Sequence, residues 1–219
     1  HDIAMRAAYH LPFAGINRTE EARLLGLFSE SLPDVRQRKL DTDRKLETIK
    51  IVFITSYSSN HGIAHVLHRI LPFLSIHNIE YGVIYRSIRK DDDVYQNSIF
   101  ENAHCLLHST IQMSVMPSEW SEELYTKEIE FLNNNKPDVL IHLDGFMDPS
   151  LLGLLALRHC PLNMYWVGHG GNLGLEFVDY VITDKTVAVD SDEMSHLECD
   201  LKLPTSFVSS GIFDFNRNA

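Results

Sequence analysis

Apolar and polar positions along this chain fall into two alternating rhythms. Residues 49–55 (IKIVFIT) form a short β-branched run, the mark of a strand buried on both faces. The polar loop Ser56 to Asn60 follows. Apolar residues then recur at Ile63, Val66, Leu67, Ile70 and Leu74, one stripe of a helix over about 61–76 that Asn60 is placed to cap. The pattern predicts a second strand at 81–85, a weaker third at 103–107, and a helix at 119–132 closed by an Asn-rich stop and Pro137. Another strand is expected at 139–143. Asp148 and Pro149 open a helix to about Arg158, and strands at 162–167 and 180–183 complete the set. Strands alternating with helices of about 10–16 residues predict right-handed βαβ units. The fold expected is therefore α/β, a Rossmann-like three-layer domain with a mostly parallel sheet.

Upstream, residues 18–32 show helical apolar spacing, with Thr19 as N-cap and acids in the first turn. Residues 33–48 are charged and turn-prone. The organisation expected is a helical lead-in and linker over 1–48, then the Rossmann-like domain over 49–219.

Composition narrows the classes. At 219 residues, 44% hydrophobic and 22% charged, the chain can bury a sizeable core. Its apolar runs fall far short of the roughly 18–20 residues of a membrane span, and no signal-peptide pattern opens it. It begins at His1 rather than Met, which allows for a missing or processed N-terminus. Cys105, Cys160 and Cys199 are odd in number and form no CxxC pair, which disfavours a disulfide framework and a zinc site. A cytoplasmic or other reducing intracellular setting is expected. The net charge of −11 excludes a general electrostatic footprint for nucleic acid, and leaves any phosphate-bearing ligand in need of a local cation.

Candidate chemistry gathers in the loops that follow the strands, because ligands of open α/β sheets collect outside the strands' carboxyl ends. Those loops carry Ser56 to His61, then Asp144-Gly145, then Gly168 to Gly174 (GHGGNLG), and finally Asp184. His61 falls at a predicted helix N-terminus, where it can hydrogen-bond a phosphate or a hydroxyl, or simply cap and pack. His61, His65 and His68 share one helix face, but HxxxH without the intervening glutamate, beside an apolar stripe, favours packing; no metal is expected. The GHGGNLG run lets a ligand approach the backbone closely, and it is not the dinucleotide fingerprint, which follows the first strand. The acidic clusters Asp91-Asp92-Asp93 and Asp190-Ser191-Asp192 are expected to be solvated loops. Ser56, Ser58 and Ser59 lack a nucleophile elbow, so a serine hydrolase is not expected.

These pieces in order, FITSYSSNHGIAH, LIHLDGF, ALRHCPLN, MYWVGHGGNLG and DYVITD, resemble the catalytic region of the protein O-linked N-acetylglucosamine transferases and the related protein N-glucosyltransferases. The resemblance covers about 50–207. It implies the N-terminal half of a GT-B glycosyltransferase, with no cofactor, a UDP-sugar as co-substrate, and transfer of N-acetylglucosamine to Ser or Thr of a protein or peptide acceptor. His61 matches the family histidine beside donor and acceptor, and is the expected catalytic residue. Asn60, His65, Asp144, Gly145, His169, Gly170, Gly171 and Asn172 are expected to bind substrate, with Gly171 matching a glycine that approaches the sugar. The chain departs from the family at His169, where a tyrosine is usual, and at Gly170 to Gly174, where a proline and two hydroxyl donors are lost. The family's second domain, source of the uridine pocket and a leaving-group lysine, is expected to be missing from this chain. The alternative expectation is an inactive half-transferase that serves as a structural or interaction subunit of a larger assembly.

Overall fold

The computed structural model describes residues 24, 48–86, 93–115, 117–168, 173–185, 198–206 and 208. Of the predicted 18–32 helix only Leu24 is among them, and it is helical. The predicted linker lies outside the described residues except for Thr48.

Among the described residues seven strands form one parallel sheet: β1 (Ile49–Thr55), β2 (Ile79–Tyr85), β3 (Cys105–His108), β4 (Val139–His142), β5 (Leu162–Trp166), β6 (Tyr180–Asp184) and β7 (Cys199–Leu203). Their order across the sheet is β3-β2-β1-β4-β5-β6-β7. The chain builds outward from β1 in one direction, then crosses over and builds outward from β4 in the other. The gap between β1 and β4 is thus the topological switch point, where such sheets open a crevice at their carboxyl edge.

Among the described residues two α-helices cover each face. Alternate residues of β1 separate the layers, because successive side chains of a strand point to opposite sides. Phe53 packs with α1 (Gly62–Leu74) and α2 (Val94–Glu101), while Val52 and Ile54 pack with α3 (Thr126–Asn135) and α4 (Leu152–Ala156). Helix α1 buries Ile63, Val66, Leu67 and Leu71, each contributing about 1.5–3 kcal/mol by leaving water. The second face is sealed by Tyr125, Tyr165, Leu151, Leu155 and Phe177, all essentially inaccessible. The architecture is the α/β, Rossmann-like one that the hydrophobic rhythm predicts.

Several elements differ from expectation. Helix α2 and strand β7 were not predicted. The 119–132 helix starts only at Thr126, because the segment before it turns inward to bury Trp120 and Tyr125. The helix from Asp148 is short and begins as a 3-10 turn at Pro149–Leu151; it closes before Arg158, whose φ is 53°. Among the described residues no helix is long and apolar enough to cross a membrane, and no disulfide joins the three cysteines.

The amino edge of the sheet is pinned by matched groups. Arg158 grips Asp179 through both guanidinium nitrogens, at 2.8 and 3.0 Å, and Asp179 also accepts from the Asn163 backbone N–H at 2.8 Å. Asp138 accepts the Lys50 N–H at 2.9 Å. The ALRHCPLN piece therefore fastens the foot of β5, away from the carboxyl edge.

Candidate active site

The site grows from the carboxyl end of β1. Thr55 and Ser56 end the strand fully inside the protein, and Asp144, just beyond β4, meets them across the switch point. Thr55 Oγ1 donates to Asp144 Oδ1 at 2.7 Å, and the Ser56 N–H donates to Asp144 Oδ2 at 2.6 Å. Beneath them, the Ser56 hydroxyl donates to Asp148, which is also ion-paired with Arg86 from the end of β2. Asp148 caps its own turn by accepting the Ser150 N–H at 3.2 Å, and Tyr125 donates its hydroxyl to the Ser150 carbonyl. His142, the last residue of β4, accepts the Gly145 N–H on Nδ1 at 3.0 Å.

Burial sets the electrostatics. Desolvation pushes the Asp144 carboxyl up to about 7, against the pull of its hydrogen bonds from Ser56 and Thr55. Desolvation likewise drops His142 to about 4, so its ring is neutral at pH 7. A low dielectric at this rim strengthens every polar contact there.

The loop then rises to His61. Tyr57 stacks on the His61 ring with centroids 4.3 Å apart, and His61 Nδ1 accepts the Ile63 N–H at 3.3 Å. His61, rather than Asn60, thus caps α1. Burial, then the neighbouring His65, lowers the His61 pKa, so the ring is neutral at pH 7. With Nδ1 engaged as an acceptor, the neutral ring carries its proton on Nε2. It presents a hydrogen-bond donor, suited to a sugar or acceptor oxygen.

The other expected site residues divide. Asn60 and His65 stand beside His61, joined to each other by Asn60 Oδ1 and His65 Nε2 at 2.8 Å, and the His65 ring stacks on Tyr95 at 4.1 Å. His68 packs edge-on against the same ring, as the packing reading of these histidines holds. Asp144 and Gly145 reach the same rim but face inward. Both Asp144 oxygens are engaged by the end of β1, and Gly145, at φ 57°, spends its N–H on His142. They brace the site from below, where direct substrate contact was expected. His169, Gly170, Gly171 and Asn172 lie outside the described residues, as do Asp190, Ser191 and Asp192. Asp184 ends β6 on the same edge, buried.

What launches the glycine-rich loop is described. Gly168 donates its N–H to the Trp166 carbonyl at 3.2 Å, a three-residue turn with Val167 at φ 79°. A β-branched residue there stores strain of about 1–3 kcal/mol. A Cβ on Gly168 would stand 2.8 Å from Asp144 Cα and nearer still to the Leu143 carbonyl, so only glycine passes over β4. The loop's far end is held by Glu198. Its buried carboxylate accepts the Leu175 N–H at 3.1 Å, and desolvation raises its pKa to about 7.

Sequence reasoning missed His142, Arg86, Glu198 and Asp93. Arg86 directly follows a strand pattern and His142 lies near the end of one, which was the available signal. Asp93, expected in a solvated loop, instead caps α2 by accepting from the N–H groups of Tyr95 and Gln96, both at 3.0 Å. Among the described residues no group of three or more His, Cys, Asp or Glu is placed to hold a metal ion.

Residues 34–207 match the model of a family described as glycosyl transferase family 41. The chain belongs to that family. A probable UDP-N-acetylglucosamine–peptide N-acetylglucosaminyltransferase SPINDLY from Petunia hybrida is 33% identical over 82 residues, 37% of this chain and 9% of its own length. The corresponding SEC protein of Arabidopsis thaliana is 22% identical over 155 residues, 68% of this chain and 15% of its own. In structure, a Thermobaculum terrenum O-GlcNAc transferase mutant superposes with a TM-score of 0.76 over 93% of this chain and 38% of that one, at 13% identity. That likeness establishes the shared fold, which is one Rossmann-like half of the GT-B architecture. The family 41 chain spans only about a tenth of the length of the curated relative from petunia.

Proposed function

We propose that this family 41 domain is the acceptor-side half of a protein glycosyltransferase. It takes a UDP-sugar, most simply UDP-N-acetylglucosamine, and passes the sugar to Ser or Thr hydroxyls of a peptide. The observation that carries the reading is the setting of His61: a neutral ring with its Nδ1 engaged, on a loop anchored at the switch point of a family 41 sheet. The names of the petunia and Arabidopsis relatives support the donor and acceptor classes.

In this reading the acceptor hydroxyl attacks the anomeric carbon, the bond from that carbon to the diphosphate oxygen breaks, and the uridine diphosphate leaves with the bonding pair and takes up the hydroxyl proton. His61 Nε2–H donates to an oxygen of donor or acceptor and holds the two in line. Charge on the departing diphosphate requires cationic or N–H partners. Arg86 is committed to Asp148 and Ser150, so it is not spare for that task. The partners are assigned to a second Rossmann-like domain of the native polypeptide or to a larger assembly. The same commitment of Arg86 favours the alternative reading, an inactive half-transferase with an interaction role.

The test is transfer of radiolabelled N-acetylglucosamine from its UDP donor to Ser/Thr peptides by the full native polypeptide. Transfer that drops about 100-fold or more in His61→Ala supports the enzyme, on the scale of losing one transition-state hydrogen bond. A native protein inert with every UDP-sugar tried leaves the interaction role standing.

A further inference from the structure

The loop that presents His61 is suspended at two ends. Its beginning hangs from Asp144 and Asp148 in the interior. Its end, at Asn60, is tied to a different element, the first turn of α2. Asn60 donates its backbone N–H to Asp93 Oδ2 at 2.7 Å, while Asp93 Oδ1 receives the Tyr95 and Gln96 N–H groups. One residue on, Gln96 donates Nε2 to the Ser58 hydroxyl at 2.8 Å from a buried position. Tyr95 completes the attachment by stacking on His65, which in turn bonds Asn60. Asp93 and Gln96 thus hold Asn60 and Ser58 of the loop, 33 and 38 positions away in sequence, while Tyr95 holds His65 of α1.

We infer that Asp93 is a positioning residue for His61, its two carboxylate oxygens dividing between the α2 cap and the Asn60 backbone. The inference rests on the reading above that this loop serves sugar transfer. The division of labour is what gives Asp93 a role beyond capping. Oδ1 performs the cap that Ser, Thr or Asn performs elsewhere. Oδ2 takes the other bond and fixes the Ser59–Asn60 peptide, one residue short of His61. The backbone there sets where the imidazole sits, and a displacement of about 1 Å can cost about 100-fold in rate.

Two variants separate the roles. In Asp93→Ser a single hydroxyl oxygen keeps the helix cap but cannot also reach Asn60. In Asp93→Asn the shape is kept, but if the amide oxygen stays on the cap, its NH₂ meets the Asn60 N–H, donor against donor. Both are measured in the full native polypeptide by thermal unfolding, steady-state transfer, and the NMR resonances and pH titrations of the histidine rings. The expected result for Asp93→Ser is a melting temperature close to wild type, kcat lower by about 10–100-fold, and shifted His61 and His65 ring resonances. The His61 midpoint should move up toward the ordinary histidine value as the loop loosens and hydrates. Asp93→Asn should lose at least as much kcat despite its closer shape. Wild-type histidine resonances and kcat in Asp93→Ser would overturn the inference. If the wild type transfers no sugar, the functional reading fails on its own, and the ring resonances still decide whether Asp93 positions His61.

Discussion

The two edges of this sheet treat their acids in opposite ways. At the amino edge Asp138 and Asp179 meet backbone N–H groups or a guanidinium, and Asp179 and its partner Arg158 keep partial contact with water. At the carboxyl edge His142, Asp144 and Asp148 are all fully inaccessible, and the pKa values of His142 and Asp144 move in opposite directions. A fold that sought only stability would have no reason to bury three ionisable groups at one end. Perturbed groups collect where a protein does chemistry, and His142 and Asp144 meet at the switch-point end, while Glu198, a buried acid with a raised pKa just before β7, belongs to the amino edge and holds a loop. The difference separates what holds the sheet together from what shapes its site.

Breaking the contrast at its strongest point should produce the largest effect. Asp144→Ala leaves the Thr55 hydroxyl and the Ser56 N–H buried without their partner, each loss costing about 1–3 kcal/mol. Urea unfolding should show the sum, with transfer abolished. Gly168→Ala comes next. Its Cβ would collide with the backbone of Leu143 and Asp144, costing about 1–3 kcal/mol as overpacking does, and its kcat should fall because the loop must lift. Arg158→Ala at the other edge is the control. It should lose about 1–3 kcal/mol of stability by removing the guanidinium from Asp179, which keeps only the Asn163 N–H, while kcat stays near wild type. An Arg158→Ala protein that folds normally but cannot transfer sugar would erase the distinction between the edges.

A subtler effect is in the pH dependence. The Asp144 carboxyl sits at about 7 in the folded state and about 3.9 in the unfolded chain. Between these values the folded state holds a proton that the unfolded state has released, so this group lowers stability as pH rises from about 4 to 7. His142, at about 4 when folded against about 6.5 unfolded, acts oppositely and raises stability over about 4 to 6.5. Comparing wild type with Asp144→Asn isolates the first term. The variant should gain on the wild type as pH climbs through that window, read from denaturant midpoints. Parallel curves would mean that Asp144 is not titrating there. The smallest effect is expected for Val167→Gly, where relief of about 1–3 kcal/mol of strain is offset by about 1 kcal/mol of glycine chain entropy.

How much of this was legible follows from where the hydrophobic signal is strong. Strand β1 was predicted to its exact bounds, because IKIVFIT has no competing helical period. Strand β7 was missed because CDLKL is largely exposed, an edge strand with little apolar content to read. Helix α2 was missed for a similar reason: of VYQNSIFE only Gln96 and Ile99 are buried, and its cap stood in what read as a charged loop. The rim itself was legible, since His61, Asp144 and Asp184 all come from carboxyl ends of strands. The direction in which a side chain faces was not. Asp144 was expected to look outward at substrate, and nothing in LIHLDGF says that Thr55, 89 positions earlier, will claim it. Only tertiary pairing decides that.

The bond between Thr55 and Asp144 also acts as a register pin. In a parallel pair a slip of one residue would turn every side chain of β1 to the wrong layer, and the paired Ile54 and His142 would part company. Contacts this distant in sequence form late and slowly. The cradle of His61 can therefore exist only after the central strand pair has closed, so a growing chain carries no half-built site until residue 144 has been made and docked.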